Sequence, residues 1–192
     1  LIATWTPGPL TMVLKKKTNV PYSVTAGLES VAIRFPSHPI ARELLKLAKI
    51  PVAAPSANRS GRPSGTTWKS VLDDLDGQID AIVCEDGCSV GVESTVVDLH
   101  CDPPRLLRPG AVSFSELQRL LPNIMAMTKE QTAEANSPGL RHRHYQPKAR
   151  VEIVDREQLI DKALLGNEST ALIGITDCSD LHFGLKVICT DV

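Results

Sequence analysis

The chain has 192 residues, 42% of them hydrophobic and 22% charged, and its formal net charge is −1 at pH 7. Such a composition is typical of globular proteins, and the length allows one full domain and part of another. The charge and the 4% aromatic content argue against bulk binding of nucleic acid and against a stacking platform for single strands. No apolar run approaches the roughly 20 residues that would cross a bilayer.

The chain opens with Leu-Ile-Ala-Thr-Trp, without an initiator Met or a secretory signal, so we expect it to begin inside a longer protein. Strands are predicted over 11–14, 30–34, 52–54, 81–84, 95–99 and 105–107, with 52–54 buried. Helices are predicted after a Ser37 cap, over 67–75 with an end at Gly77, and after a capping box formed by Ser113 and Glu116. This alternation predicts an α/β domain over residues 1–121.

Residues 122–149 lack periodicity and are predicted to be an interdomain linker. Their basic end contains Arg143, His144 and Tyr145. This run could contact RNA phosphates or close over a nucleotide with Tyr145 on a ring, or it could be a solvated linker. Residues 150–192 have strand–helix–strand order, with strands over 151–154, 171–175 and 185–189, which predicts a parallel pair in a truncated Rossmann-like α/β domain.

The loop over 55–64 follows the predicted strand 52–54 and contains hydroxyl side chains, Gly61, Arg59 and Arg62. Glycine allows close backbone approach, hydroxyls and amides donate hydrogen bonds, and the arginines give a positive field, as a phosphate or carboxylate site requires. The same composition is also typical of an ordinary turn. Five cysteines show no framework spacing, and Cys84 and Cys88 match no standard zinc finger, so we expect reduced thiols and no metal site.

Three polar residues occur at predicted strand ends. Arg34 could grip a carboxylate there, Ser94 could donate to a substrate, and Arg108 could contact phosphate. Each also has an ordinary structural interpretation as a surface ion pair, a hydroxyl that satisfies backbone, or a solvated charge. The turn over 6–11 is predicted to fix chain direction. Walker, GxGxxG, HExxH and nucleophile-elbow motifs do not occur in the sequence.

The motifs PGPLT (7–11), VAIRFP (31–36), PVAAPSAN (51–58, continuing to Ser64), ESTVVD (93–98) and LRPG (107–110) together resemble the YrdC family, the L-threonylcarbamoyladenylate synthases. The matches cover residues 5–121, and the segment 137–147 is similar to the linker of two-domain members. The resemblance implies a twisted mixed sheet of YrdC-like type.

The resemblance also implies substrates and roles. The family joins L-threonine, bicarbonate and ATP into threonylcarbamoyladenylate and pyrophosphate, which starts threonylcarbamoyladenosine (t6A) formation on tRNA. Its pattern assigns threonine to Arg34, Ser94 and the Ala54 backbone; ATP to Ser30, Ser56, Ser64, Arg108 and Tyr145; and supporting roles to Asn58, Arg143 and His144. Mg²⁺ is expected with ATP, bound mainly through phosphate and water. Downstream t6A proteins are expected partners, in the cytoplasm or with a mitochondrial pool.

The sequence lacks the upstream Lys-x-Arg and Thr-x-x-x-Tyr-Gly-Leu elements of the family, so we expect the chain as given to have little synthase activity. Two other interpretations stay open: a double-stranded RNA or tRNA-binding module, and a carbamoyl-transferring YrdC-like relative. The low net charge counts against the first. The second should carry acylphosphatase-like and zinc-finger regions.

Overall fold

The computed structural model describes residues 1–127, 171–174 and 185–188. The chain divides into two compact units, Leu1–Gln146 and Pro147–Val192. The helices of the described part are α1 (Ile2–Trp5), α2 (Pro39–Ala48), α3 (Trp68–Leu75) and α4 (Phe114–Leu120), with a 3₁₀ turn at Tyr22–Val24. The strands are β1 (Leu10–Lys15), β2 (Ser30–Arg34), β3 (Thr95–Asp98), β4 (Arg105–Arg108), β5 (Met125–Ala126), β6 (Ala171–Gly174) and β7 (Leu185–Ile188).

The first unit contains a five-stranded mixed sheet in the order β2-β1-β3-β4-β5. Strand β1 is antiparallel to β2 and parallel to β3, while β4 is antiparallel to β3 and parallel to β5. The α/β class and the mixed sheet predicted from the sequence are therefore confirmed. In the second unit β6 and β7, which lie within the predicted strands 171–175 and 185–189, form a parallel pair. The parallel pair predicted from strand–helix–strand order joins 151–154 to 171–175, and residues 151–154 lie outside the described residues.

The core lies on one face of the sheet. Alternate residues of β1, Leu10 and Met12, are 0% and 2% exposed and pack with Val97, Leu106 and Leu117. Because side chains alternate across a strand, Thr11 faces the other side of the sheet. Helix α4 supplies Leu117 to this core and begins with the predicted capping box. The opposite face of β1 therefore includes Thr11, which belongs to the polar group described below.

Two predicted strands are wrong. Residues 52–54 and 81–84 are irregular, and Val52 and Val83 are 51% and 62% exposed. Both runs have apolar β-branched residues, but a strand also needs a hydrogen-bonded neighbour, and the described sheet pairs with neither run. An apolar run by itself therefore did not decide between strand and coil here.

The helices follow their predicted positions with one corrected cap. Pro39 occupies the first turn of α2, so the N-cap is His38 rather than Ser37, and no side-chain cap bond forms. The apolar residues Leu44 and Leu47 of α2 are 59% and 72% exposed, so the helical spacing was right but the described chain does not bury that face. Helix α3 has Thr67 as its N-cap and is followed by Gly77 at φ +69°, which fits the predicted end.

Candidate active site at one edge of the sheet

Four strand ends meet at one edge of the sheet. The register places Thr11 opposite Arg34 of β2 and Val96 of β3, and places Val96 opposite Arg108 of β4. Arg34 and Arg108 are the last residues of their strands, while Thr11 and Val96 are second in theirs. Since β1 and β3 start where β2 and β4 end, two predicted arginines lie in one row across four strands, with Ser94 beside the start of β3.

Arg108 is bound to Ser94. Its Nε donates to the Ser94 carbonyl at 3.0 Å, and its Nη2 reaches the same carbonyl at 2.9 Å and the Ser94 Oγ at 3.1 Å. Ser94 is buried, and its Oγ also shares a hydrogen bond of 2.8 Å with Thr11 Oγ1. The guanidinium, the serine and the threonine therefore form one fixed group that spans β1, β3 and β4.

Glu93 connects this group to the loop over 55–64. Its Oε2 accepts from Arg108 Nη1, and its Oε1 accepts from Ser64 Oγ at 2.7 Å. Ser64 Oγ also lies 3.3 Å from Asn58 Oδ1. The sequence prediction missed Glu93. The available signal was its place beside Ser94 in the turn before β3, because a partly buried arginine at the end of the neighbouring strand needs a counter-charge.

The backbone after Arg108 lies in close contact with the backbone at the start of β3. A Cβ at Gly110 would lie 2.5 Å from Thr95 N and 2.8 Å from the Ser94 carbonyl carbon, so this backbone approach requires glycine. Val112, two residues after Gly110, is bound to the buried side chain of Thr95. Thr95 Oγ1 donates to Val112 O at 2.8 Å and accepts from Val112 N at 3.0 Å. These contacts hold Ser94 and the end of β4 at a fixed separation.

Arg34 lies at the same edge with a different environment. Its Nε donates to Gly8 O at 3.3 Å, and Gly8 N donates to Phe35 O at 2.8 Å. The turn that contains Gly8 thus fixes the end of β2, consistent with its predicted role in chain direction. Within residues 1–127 the two terminal nitrogens of Arg34 have no hydrogen-bond partner, and the residue is exposed. They can donate to a carboxylate in the two-pronged geometry that arginine favours.

The loop arginines contradict the prediction of a free positive field. Both bind Asp74 of α3: Arg59 N donates to Oδ2 at 3.1 Å, Arg59 Nε donates to the Asp74 carbonyl at 2.7 Å, and Arg62 Nη1 pairs with Oδ1. Burial raises the pKa of the Asp74 carboxyl, but the hydrogen bonds from Arg59 and Arg62 and their charges outweigh it, so its pKa lies below the ordinary value. The positive charge of the loop is partly neutralised.

The structure does not bring every predicted site residue to this edge. Ser30 pairs with Lys15 at the opposite end of β2 from Arg34, about 13 Å away for four residues of strand. Ala54 and Ser56 are exposed in the irregular segment before Asn58, and neither has a side-chain link to the Ser94–Arg108 group. The predictions for Arg143, His144 and Tyr145 lie outside the described residues.

Residues 1–127 and the two short strands contain few features of other kinds of site. No group of three or more His, Cys, Asp or Glu residues there could hold a metal ion. Cys84 and Cys88 are free and exposed, and Cys101 is free and half-buried. Among the helices of this part of the chain, none has the length and apolar character needed to traverse a membrane.

Comparison with known proteins decides the family. Residues 1–110 match the model of the Sua5/YciO/YrdC family, described as "Telomere recombination". The chain belongs to this family. Residues 112–183 match a second model, "Threonylcarbamoyl-AMP synthase, C-terminal domain". The resemblance stated from the motifs is thereby confirmed, while the residue boundaries of the two domains and the linker stay predictions.

Similar proteins carry one name. The chain is 44% identical over 152 residues to the threonylcarbamoyl-AMP synthase of Pyrococcus abyssi. The aligned residues cover 78% of this chain and 45% of that protein. Identity to the proteins of the same name is 43% in Schizosaccharomyces pombe, over 79% and 40% of the two chains, and 42% in Bacillus subtilis, over 78% and 44%. The chain spans less than half the length of these relatives.

Among solved structures, the crystal structure of P. abyssi Sua5 complexed with L-threonine aligns with a TM-score of 0.84 and 34% identity. The alignment covers 100% of this chain and 59% of that chain. The structure of E. coli YciO aligns with a TM-score of 0.51 and 30% identity, over 55% and 52% of the two chains. The YrdC-like fold predicted from the motifs is therefore confirmed for the sheet described above.

Proposed function

We propose that the protein to which this chain belongs is an L-threonylcarbamoyladenylate synthase, a nucleotidyltransferase. One observation carries the proposal: Arg34 and Arg108 lie in one row of paired residues across four strands, and Ser94, beside that row, is hydrogen-bonded to Arg108. Two guanidinium groups at one edge suit a substrate pair that brings a carboxylate and a polyphosphate. The names of the relatives, and the L-threonine complex of the Sua5 structure, supply the substrate class.

On the threonine side, the proposal assigns the carboxylate to Arg34. Its terminal nitrogens lack a partner within residues 1–127, whereas its Nε is tied to Gly8 O and keeps the group oriented. Ser94 Oγ, fixed by Thr11 and Arg108, would donate to or accept from the amino acid. The backbone of Ala54 completes this assignment by family resemblance only.

On the nucleotide side, the proposal assigns phosphate to Arg108 and Ser64. Both already contact Glu93, so their side chains are oriented before substrate binds. Asn58 supports the loop by donating to Arg59 O at 2.9 Å and Arg62 O at 3.0 Å. The roles of Ser30, Ser56 and Tyr145 at ATP, with support from Arg143 and His144, remain part of the proposal on the family resemblance alone.

The proposed chemistry needs orientation and charge neutralisation, not a covalent nucleophile. The threonine nitrogen adds to bicarbonate carbon with loss of water, which gives an N-carboxylate. A carboxylate oxygen then bonds to the α-phosphorus of ATP while the bond to pyrophosphate breaks. Mg²⁺ would neutralise phosphate charge, and since the described residues offer no acidic cluster, ATP oxygens and water would hold it.

The product would be consumed by the t6A proteins that transfer the threonylcarbamoyl group to tRNA, so direct contact with tRNA is not required of the described residues. We place this activity in the cytoplasm, with a mitochondrial pool as an extension.

The test is pyrophosphate release by the natural full-length protein from ATP, with threonine and bicarbonate each present or omitted. We expect release that depends on both, and a rise of at least about tenfold in the KM for threonine in Arg34→Ala, since a charge-assisted bidentate contact is lost. Arg42→Ala, on the exposed surface of α2, is the matched control. Release that is indifferent to threonine would overturn the proposal.

A further inference from the structure

Helix α3 buries an acid more fully than any of its apolar residues. Asp74 is 7% exposed and is the one buried residue of α3, whereas Leu72 on the same helix is 37% exposed. A carboxylate withdrawn from water is costly unless several donors satisfy it. The donors to the Asp74 carboxylate come from the loop over 55–64, fifteen and twelve positions earlier in the chain, and not from the helix itself.

Three donations reach Asp74 from two arginines. The Arg59 amide and the Arg62 guanidinium each donate to one carboxylate oxygen of Asp74, and Arg59 Nε donates to its main-chain carbonyl. Between these two arginines the chain turns tightly: Arg62 N donates to Arg59 O at 3.0 Å, and Gly61 has φ +86°. Asp74 therefore holds both ends of one turn of the loop against α3.

The same loop continues to Ser64, only two residues after Arg62. Ser64 Oγ donates to Glu93, whose other oxygen binds Arg108. Hydrogen bonds thus run from Asp74 through the turn and Ser64 to the group at the sheet edge. The arginines belong to the support of the loop, which leaves hydroxyls and amides to face a ligand.

We infer that Asp74 is a positioning residue, which acts through Arg59 and Arg62 to hold the loop over 55–64 in the conformation that binds the nucleotide. The expected effect on the KM for ATP rests on the proposed synthase function. The expected effect on the conformation of the loop does not. Because the threonine carboxylate is assigned to Arg34, outside the loop, loss of Asp74 should affect the two substrates differently.

The structural test needs no activity. In Asp74→Asn the exposed Arg59–Ser60 bond should be cut by trypsin about tenfold faster than in the wild type, since local opening of the loop becomes easier. The bond after Arg62 resists trypsin because Pro63 follows. Mass spectrometry of the new N-terminus at Ser60 follows the cut, and Asp73→Asn, an exposed neighbour on α3, is the matched control.

The kinetic test uses the full-length synthase. Asp74→Asn should raise the KM for ATP by about tenfold, leave the KM for threonine within about twofold, and change kcat little. A loss of stability alone would lower the active fraction and kcat and leave both KM values unchanged. That pattern, or equal rises in both KM values, would overturn the inference.

Asp74→Asn must first be shown to fold, by an unchanged far-ultraviolet circular dichroism spectrum. If it does not, Arg62→Gln serves instead, because the Arg62 side chain is 53% exposed and its removal leaves the Arg59 contacts. It should speed the Arg59–Ser60 cut by about threefold, since one of three donations is lost. Unchanged cleavage in the folded variant refutes the inference. Altered cleavage in a protein without threonine-dependent pyrophosphate release refutes the proposed function and leaves the loop support standing.

Discussion

Replacement of Gly110 by alanine should destabilise the first unit because the backbone at 110 lies directly on the start of β3. The new Cβ would lie 2.5 Å from Thr95 N, 2.8 Å from the Ser94 carbonyl carbon, and closer still to Glu93 O. Real Cβ atoms essentially never approach within 3.0 Å, and all three neighbours are backbone atoms that only a strand shift could move. Overpacking costs about 1–3 kcal/mol, and three such contacts at once place this change near 3 kcal/mol.

Urea denaturation followed by circular dichroism measures the effect. With a slope of about 1–3 kcal/mol per molar urea, a loss of about 3 kcal/mol lowers the midpoint by about 1–3 M. Gly87→Ala is the matched control, since its Cβ would lie 3.5 Å from Thr66 O and 3.8 Å from Thr67 Cγ2, which are ordinary contacts. The control should change stability by less than about 0.5 kcal/mol. Equal midpoints for the two variants would refute the steric argument.

Three further predictions concern contacts of the same unit. Thr95→Val keeps the side-chain shape but leaves both backbone groups of Val112 without their buried partner, so urea unfolding should show a loss of about 1–3 kcal/mol, and a neutral result would contradict it. Ser113→Ala removes the cap of α4 and should cost about 1 kcal/mol in the same assay, which Ser113→Asp should largely restore. Since the pKa of Asp74 is lowered in the folded protein, its stabilisation is complete above the unfolded pKa and is lost as pH falls through the folded value. The stability difference between the wild type and Asp74→Asn should therefore shrink below about pH 4, and a difference that grew on acidification would contradict the assigned direction.

Local sequence patterns located most of the regular elements. Alternating apolar residues placed β1, which runs Leu10–Lys15, and the capping box of Ser113 and Glu116 placed the start of α4. These signals succeed because a strand's alternation and a helix cap depend on residues within a few positions of each other. The strands predicted over 52–54 and 81–84 failed because strand formation also depends on a partner that is distant in sequence.

The candidate site also combines residues that the sequence located with an arrangement that only strand pairing decided. From the residues alone, Arg34, Ser94 and Arg108 could be placed at strand ends, and the motif resemblance joined them into one site. The register of four strands decided that they share an edge, since β1 and β3 start where β2 and β4 end. Ser30 and Arg34 are the two ends of the five-residue strand β2. The predicted strand 30–34 therefore already implied that these two residues do not lie at the same end of the sheet.

The sequence by itself determined which side chains are available for chemistry, because composition and local pattern fix where arginines and hydroxyls occur. Only the tertiary structure decided which of these charges are already compensated. Arg59 and Arg62 pair with Asp74, and Arg108 pairs with Glu93, while the terminal nitrogens of Arg34 keep no partner within residues 1–127. Charge compensation depends on distances of a few ångströms between groups from separate segments, and those distances exist only after the chain has folded.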